Sequence, residues 1–192
     1  MTENMPLDST HAAHPGLRVV LSGQAGTGKS TVAKMLAARL RVPHFSSGDF
    51  MREMAQERGM SLAEFSKVAE QGREIDQALD ERQSAMGKSH PSFVLDSRLG
   101  WHFVHDAFKV FLVADEQVRA QRILGDNRET ERAAGMDEQV ALMRQREQSE
   151  RKRYHAYYGL DPYDESNFDL VVDTTYKAPE LVVADIIAQL PK

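Results

Sequence analysis

Gly23-Gln24-Ala25-Gly26-Thr27-Gly28-Lys29-Ser30 has the spacing G-x-x-x-x-G-K-[ST]. It lies between a β-rich run, Leu17 to Leu21, and a segment with apolar residues at helical spacing. Each residue type has a reason. Glycines let the backbone turn and bring N–H groups close to phosphate oxygens. The start of the following helix, through Thr31, adds unpaired donors and the positive end of a dipole. Lys29 brings a point charge to β/γ-phosphates, and Ser30 offers a hydroxyl to Mg²⁺. ATP and Mg²⁺ are therefore the expected cofactors. No N-K-x-D segment is present to read guanine, and 192 residues is short for a motor domain, so the size favours a small-molecule kinase.

A kinase that places phosphate on phosphate must hold two anions together, and arginine forks suit that task. Three segments offer them. Ser47-Gly48-Asp49-Phe50-Met51-Arg52 follows the second strand. Asp96-Ser97-Arg98 ends the third, pairing a carboxylate for the metal with a phosphate clamp. Arg146, Glu150 and Arg153 fall at i, i+4 and i+7, on one face of a long helix. The bland alternatives stay open: Arg52 as a solvated helix residue, and the 146/150/153 stripe as a surface ion-pair ladder.

The elements that must position these groups alternate. Strands are predicted at 17–21, 44–45, 92–95, 109–113 and 169–173. Helices are predicted at 29–41, 49–58, 61–70, 74–86, 116–124, 136–158 and 180–190, the last opened by Pro179. Ser61 with Glu64 forms a capping-box signature. This order implies an α/β fold of the P-loop NTPase kind, a parallel sheet with helices on both faces and ligands beyond the carboxyl ends of the strands. The polar helices of 49–88 and the charged stretch 125–158 read as lobes that add little to the sheet core. Residues 1–16 read as a flexible N-terminal extension, with the kinase domain over 17–192.

The net charge of −5 argues against nucleic-acid and anionic-membrane partners. The absence of cysteine excludes disulfides and thiolate sites and fits a cytoplasmic location. No apolar run approaches the roughly 20 residues that span a bilayer. A monomer is expected.

The sequence resembles cytidylate kinases, especially their compact archaeal-type form. The resemblance is carried by Gly23 to Thr31, Ser47 to Arg52, Glu57 to Leu62, Glu74-Ile75-Asp76, Asp80 to Gln83, Arg146 to Tyr154, Tyr158 to Asp161 and Asp173-Thr174-Thr175. It covers about Leu17 to Ile186. It implies a five-stranded parallel core, an acceptor-binding lobe over 46–88 and a closing lid over 125–158. The implied reaction is ATP plus CMP or dCMP giving ADP plus CDP or dCDP. Two places depart from the family pattern. Ser97 stands where the family has glycine, and Arg98-Leu99-Gly100-Trp101 is one residue shorter than Arg-Leu-Ala-Gly-Trp.

On this reading Lys29 and the loop amides hold the donor, and Ser30 with Asp96 holds Mg²⁺. Ser47, Arg52, Arg98, Arg146, Glu150 and Arg153 serve the nucleoside monophosphate, the expected small-molecule substrate. Arg128 is the first lid candidate and Arg132 the second. The family suggests Arg122 over the adenine, with Thr174 and Thr175 bordering it. Asp76 would accept from the cytosine amino group. The rivals are a kinase of the same fold acting on AMP, UMP, shikimate or a sugar acid, and a non-catalytic ATP-binding switch.

Overall fold

Five strands form one parallel sheet in the order β2-β3-β1-β4-β5. They are β1 (Arg18–Gly23), β2 (His44–Ser46), β3 (Phe93–Asp96), β4 (Phe108–Val113) and β5 (Leu170–Asp173). The structure, a computed structural model, describes residues 16–61, 64, 65, 68, 72–125 and 135–191. Its principal helices are α1 (Lys29–Leu40), α2 (Ser47–Glu57), α3 (Glu74–Ser89), α4 (Gly100–Phe103), α5 (Glu116–Gly125), α6 (Met136–Tyr158) and α7 (Pro179–Gln189). No described helix is long and apolar enough to cross a membrane.

The alternation of side chains along a strand decides which layer each residue joins. Val19 and Leu21 of β1, Val94 of β3, and Val110 and Leu112 of β4 face one side. There they meet Val32, Leu36 and Leu40 of α1 and Val182, Val183 and Ile186 of α7. Val20, Phe93 and Leu95 face the other side, against Met86, Trp101 and Tyr154. Both faces are covered, as a parallel sheet requires. Met54, Ala55, Phe65 and Ile75 form a separate small cluster, so α2 and α3 carry a core of their own.

Several expectations shift. α2 begins at Ser47 rather than Asp49, because the Ser46 hydroxyl accepts from the N–H groups of Gly48 (3.1 Å) and Asp49 (3.4 Å) and caps the helix. α1 ends at Leu40 before Pro43 can act, since Arg41 turns left-handed (φ 56°) and closes the helix with its own N–H. Ser61 and Glu64 exchange the expected capping-box hydrogen bonds, with Glu64 Oε2 accepting from the Ser61 N–H at 2.9 Å. Most of the helix expected after them lies outside the described residues. The idea that 125–158 adds little to the sheet core is corrected for its C-terminal half. Tyr154 is buried in the second face's cluster and Tyr158 packs against it.

α4, absent from the sequence expectations, sits tight on the sheet. A Cβ on Gly100 would stand 2.8 Å from Leu95 Cδ2, 3.0 Å from Ser97 Cβ and 3.1 Å from Val20 Cγ1. This close approach brings the chain back over β1 directly after Arg98. Gly100→Ala should therefore overpack the site, at a cost of roughly 1–3 kcal/mol. Differential scanning calorimetry should register a fall in Tm of about 2–12 °C for a domain of this size. An unchanged Tm would show that α4 is free to lift away.

Candidate active site

β1 and β3 are neighbours, with Leu21 opposite Asp96, so the strand-end carboxylate faces the loop that starts at Gly23. Lys29 Nζ lies 3.1 Å from Asp96 Oδ1, and the Ser30 hydroxyl donates to Asp96 Oδ2 at 2.6 Å. Burial pushes the Lys29 ammonium below its ordinary range; Asp96 opposes the shift, and Arg98 and Arg146 add to it. Thr27 ties the loop internally through the Gln24 carbonyl (2.9 Å), and the Thr174 hydroxyl donates to the Thr27 carbonyl (3.0 Å). Gly26 (φ 81°) is pressed on α5, where a Cβ would stand 2.6 Å from the Arg119 carbonyl oxygen.

Ser30 and Asp96 are hard oxygen donors side by side and fit Mg²⁺. Among the described residues no group of three or more His, Cys, Asp or Glu could hold a metal. A cation here would therefore complete its shell with phosphate oxygens and water.

The loop floors a cleft of about 520 Å³, which Arg98, Arg122, Arg146 and Thr174 also line. The Arg122 fork donates to the Thr174 carbonyl (2.7 Å), the Thr175 carbonyl (3.2 Å) and the Gly26 carbonyl (3.4 Å). It joins the phosphate loop to the turn after β5. Thr175 does not line the cleft. Its hydroxyl donates to Asp173 (2.5 Å) and accepts from the Asp115 N–H (2.9 Å), holding that turn.

Arg98 is buried. Its Nε lies 3.0 Å from Glu150 Oε2, its Nη2 lies 3.2 Å from Glu150 Oε1, and its Nη1 donates to the Gly23 carbonyl. Arg146 Nε donates to Glu150 Oε1 at 3.1 Å. The Glu150 stripe is therefore not a surface ladder. Burial works against its charge, but Arg98, Arg146 and the Tyr163 hydroxyl more than offset it and hold its carboxyl below the usual range.

Other expected residues fall elsewhere. Arg52 is exposed, pairs with Asp49 one turn before it and does not line the cleft; Ser47 lies in the first turn of α2. Arg128 and Arg132 lie outside the described residues.

Arg153 turns toward α3, where its Nε stands 3.8 Å from Asp76 Oδ2. Both atoms are buried and neither has a hydrogen-bond partner. Asp76 is thus a buried carboxylate in the first turn of α3. Burial raises its carboxyl, with Arg153 and Arg73 opposing. Asp76, Asp80 and Gln83 fall at i, i+4 and i+7, forming a polar stripe along α3. Asp80 accepts from the Tyr158 hydroxyl, and Gln83 accepts from Ser97.

Sequence reasoning missed four contributors. Arg119 is buried, reaching Glu147 (2.6 Å) and the Ala25 carbonyl (3.4 Å). Glu147 also accepts from Gln24 (3.2 Å). Gln83 and Tyr163 are the others. One signal was available: Arg119 with Arg122, and Glu147 with Glu150, each repeat at i, i+3.

The family model described as the cytidylate kinase-like family matches residues 18–176. A cytidylate kinase of Methanothermobacter thermautotrophicus is 40% identical over 156 residues, covering 81% of this chain and 94% of the relative. One from Methanobrevibacter smithii is 37% identical over 172 residues, covering 90% and 97%. Among solved structures, a shikimate kinase from Bacteroides thetaiotaomicron superposes with a TM-score of 0.67 at 15% identity, covering 90% and 97%, a likeness of fold.

The polar stripe of α3 makes a pH prediction. Burial raises the Asp80 carboxyl from 3.8 to about 6; the Tyr158 hydrogen bond opposes this and Asp76 adds to it. Between those values the folded state binds more protons than the unfolded one, so this group's contribution to stability declines as pH rises from about 4 to about 6. Asp80→Asn removes that dependence. The Tm of the variant minus that of the wild type should grow across this window and level off above about pH 7. A difference flat from pH 4 to 7 would show that Asp80 titrates normally.

Proposed function

The chain belongs to the cytidylate kinase-like family, and on that footing we propose that it transfers the γ-phosphoryl of ATP to the phosphate of CMP or dCMP. An oxygen of the acceptor phosphate bonds to the γ-phosphorus as the bond to the β–γ bridging oxygen breaks. ADP leaves and CDP or dCDP forms. The observation that carries this reading is the facing of two charge systems across one cleft. Lys29 and Ser30 sit on Asp96, while Arg98 and Arg146 sit on Glu150. The first suits a triphosphate and the second a further phosphate in line with it.

Little covalent help is needed in phosphoryl transfer, so positioning and charge neutralisation supply the rate. Lys29 and the amides of 24–31 hold the β- and γ-phosphates. Mg²⁺, when bound by Ser30 and Asp96, neutralises charge on those oxygens. Arg98 and Arg146 orient the acceptor phosphate, with Arg52 joining them if α2 swings inward. Arg122 and Thr174 border the donor base. Residues 46–88 act as the acceptor lobe, a reading supported by their separate apolar cluster. Closure over the reacting groups, which excludes water, falls to the N-terminal part of 125–158, because Tyr154 and Tyr158 anchor the rest.

Asp76 and Arg153 support the choice of cytosine. A carboxylate accepts from the 4-amino group and would repel the carbonyl of uracil, while a guanidinium donates to the ring acceptors.

ADP release measured across a panel of nucleoside monophosphates should show the highest kcat/KM with CMP or dCMP. Preference for AMP, or for a non-nucleotide acceptor, would overturn the assignment. Lys29→Ala should reduce turnover to background in a folded protein. Asp76→Ala should lower the CMP-over-UMP ratio by about 5- to 150-fold, corresponding to ~1–3 kcal/mol for one good polar contact. An unchanged ratio would assign base reading to another residue.

A further inference from the structure

Glu150 carries one negative charge and faces two arginines, so its geometry decides how the clamp is presented. A carboxylate has two oxygens and about four lone-pair sites. Oε1 takes Arg98 Nη2 at 3.2 Å and Arg146 Nε at 3.1 Å. Oε2 takes Arg98 Nε at 3.0 Å, and the Tyr163 hydroxyl donates to the same oxygen. All four sites are filled, and the fourth is filled by a neutral group.

Tyr163 comes from the loop after α6, which turns back at Gly159 (φ 71°) and returns to its own helix 13 residues earlier. Its N–H donates to Asp161 at 2.9 Å, which fixes the loop. The guanidiniums of Arg98 (5.5 Å) and Arg151 (4.9 Å) lie against its ring. Burial, together with the Glu150 charge, raises the phenol above its ordinary range against the pull of Arg98, so it donates throughout the working pH range.

We propose that Tyr163 is a positioning residue for the acceptor-phosphate clamp. Its hydroxyl occupies the one carboxylate site that a guanidinium would otherwise turn to fill, and its ring backs Arg98. Without the hydroxyl, Oε2 keeps an open lone pair beside two arginines. Arg98 or Arg146 then rotates toward it and leaves the orientation that phosphate needs. The proposal rests on the reading of Arg98 and Arg146 as the acceptor side.

Tyr163→Phe keeps the ring and removes only the hydroxyl. A hydrogen bond to a charged group converts to roughly a tenfold to hundredfold effect. The variant should accordingly lose about tenfold or more in kcat/KM for CMP, with KM for CMP raised. KM for ATP should stay within about twofold and the Tm within a few degrees. Wild-type acceptor kinetics in Tyr163→Phe would overturn the proposal. So would a loss matched by a fall in folded fraction, with kcat alone reduced and both KM values unchanged, since that is the signature of a merely structural role. A wild-type protein that phosphorylates no nucleoside monophosphate would overturn the functional reading and this proposal with it. A normal wild type with an indifferent Tyr163→Phe would overturn this proposal alone.

Discussion

Lys29, Arg98, Arg119 and Arg146 are brought to one end of the sheet, and like charges so gathered repel, the more so where water is excluded. The protein balances them with three carboxylates from two elements. Asp96 at the end of β3 holds Lys29, and Glu147 and Glu150 of α6 hold Arg119 and the Arg98–Arg146 pair. Each carboxylate is hydrogen-bonded by further groups, which is what makes a buried charge tolerable. The rest follows from this balance. β3 must end beside β1, α6 must cross the loop, and Gly100 must let the chain turn back at once.

α6 links the two halves of the site. Glu147 and Glu150 pair with the arginines beside the loop, while Arg153 and Tyr158 meet Asp76 and Asp80 of α3. Eleven residues of helix cover about 16 Å. A rigid rod of that length, pinned to the sheet by Tyr154, sets the separation of the loop and the polar stripe of α3 independently of the loops at its ends. The same helix therefore carries counter-charges for the arginines at the loop and polar partners for the stripe of α3.

The Gly23–Ser30 loop was legible because its chemistry is local. A phosphate loop needs glycines, a lysine and a hydroxyl in consecutive positions, and its flanking strand and helix follow the periods of their apolar residues. The arginine–carboxylate pairs were less so. Arg98 and Glu150 are 52 residues apart, and Arg119 and Glu147 are 28 apart; nothing local marks one as the other's partner. α6 looked like a solvated lobe because its buried face includes Gln139 and Glu150 as well as Val140, Met143 and Tyr154. Polar residues buried in pairs do not show as an apolar stripe. The same masking hid Gln83 in α3.

Ser97 shows how a departure from the family pattern can be absorbed. A serine in place of glycine at the buried end of β3 introduces a hydroxyl that water does not reach, and leaving it unpaired would cost about 1–3 kcal/mol. Gln83, itself buried, supplies the acceptor, so the strand end becomes tied to the helix that carries Asp76 and Asp80. The adjoining segment is one residue shorter than the pattern, and Gly100 packs against the Ser97 Cβ and the sheet without a side chain of its own. These features are best understood together. A shorter turn draws α4 down onto β1, the tight turn fixes Ser97, and Ser97 in turn orients α3. The polar stripe of α3 is thereby coupled to the strand end from which Asp96 and Arg98 project, through a contact that the glycine-bearing pattern could not make.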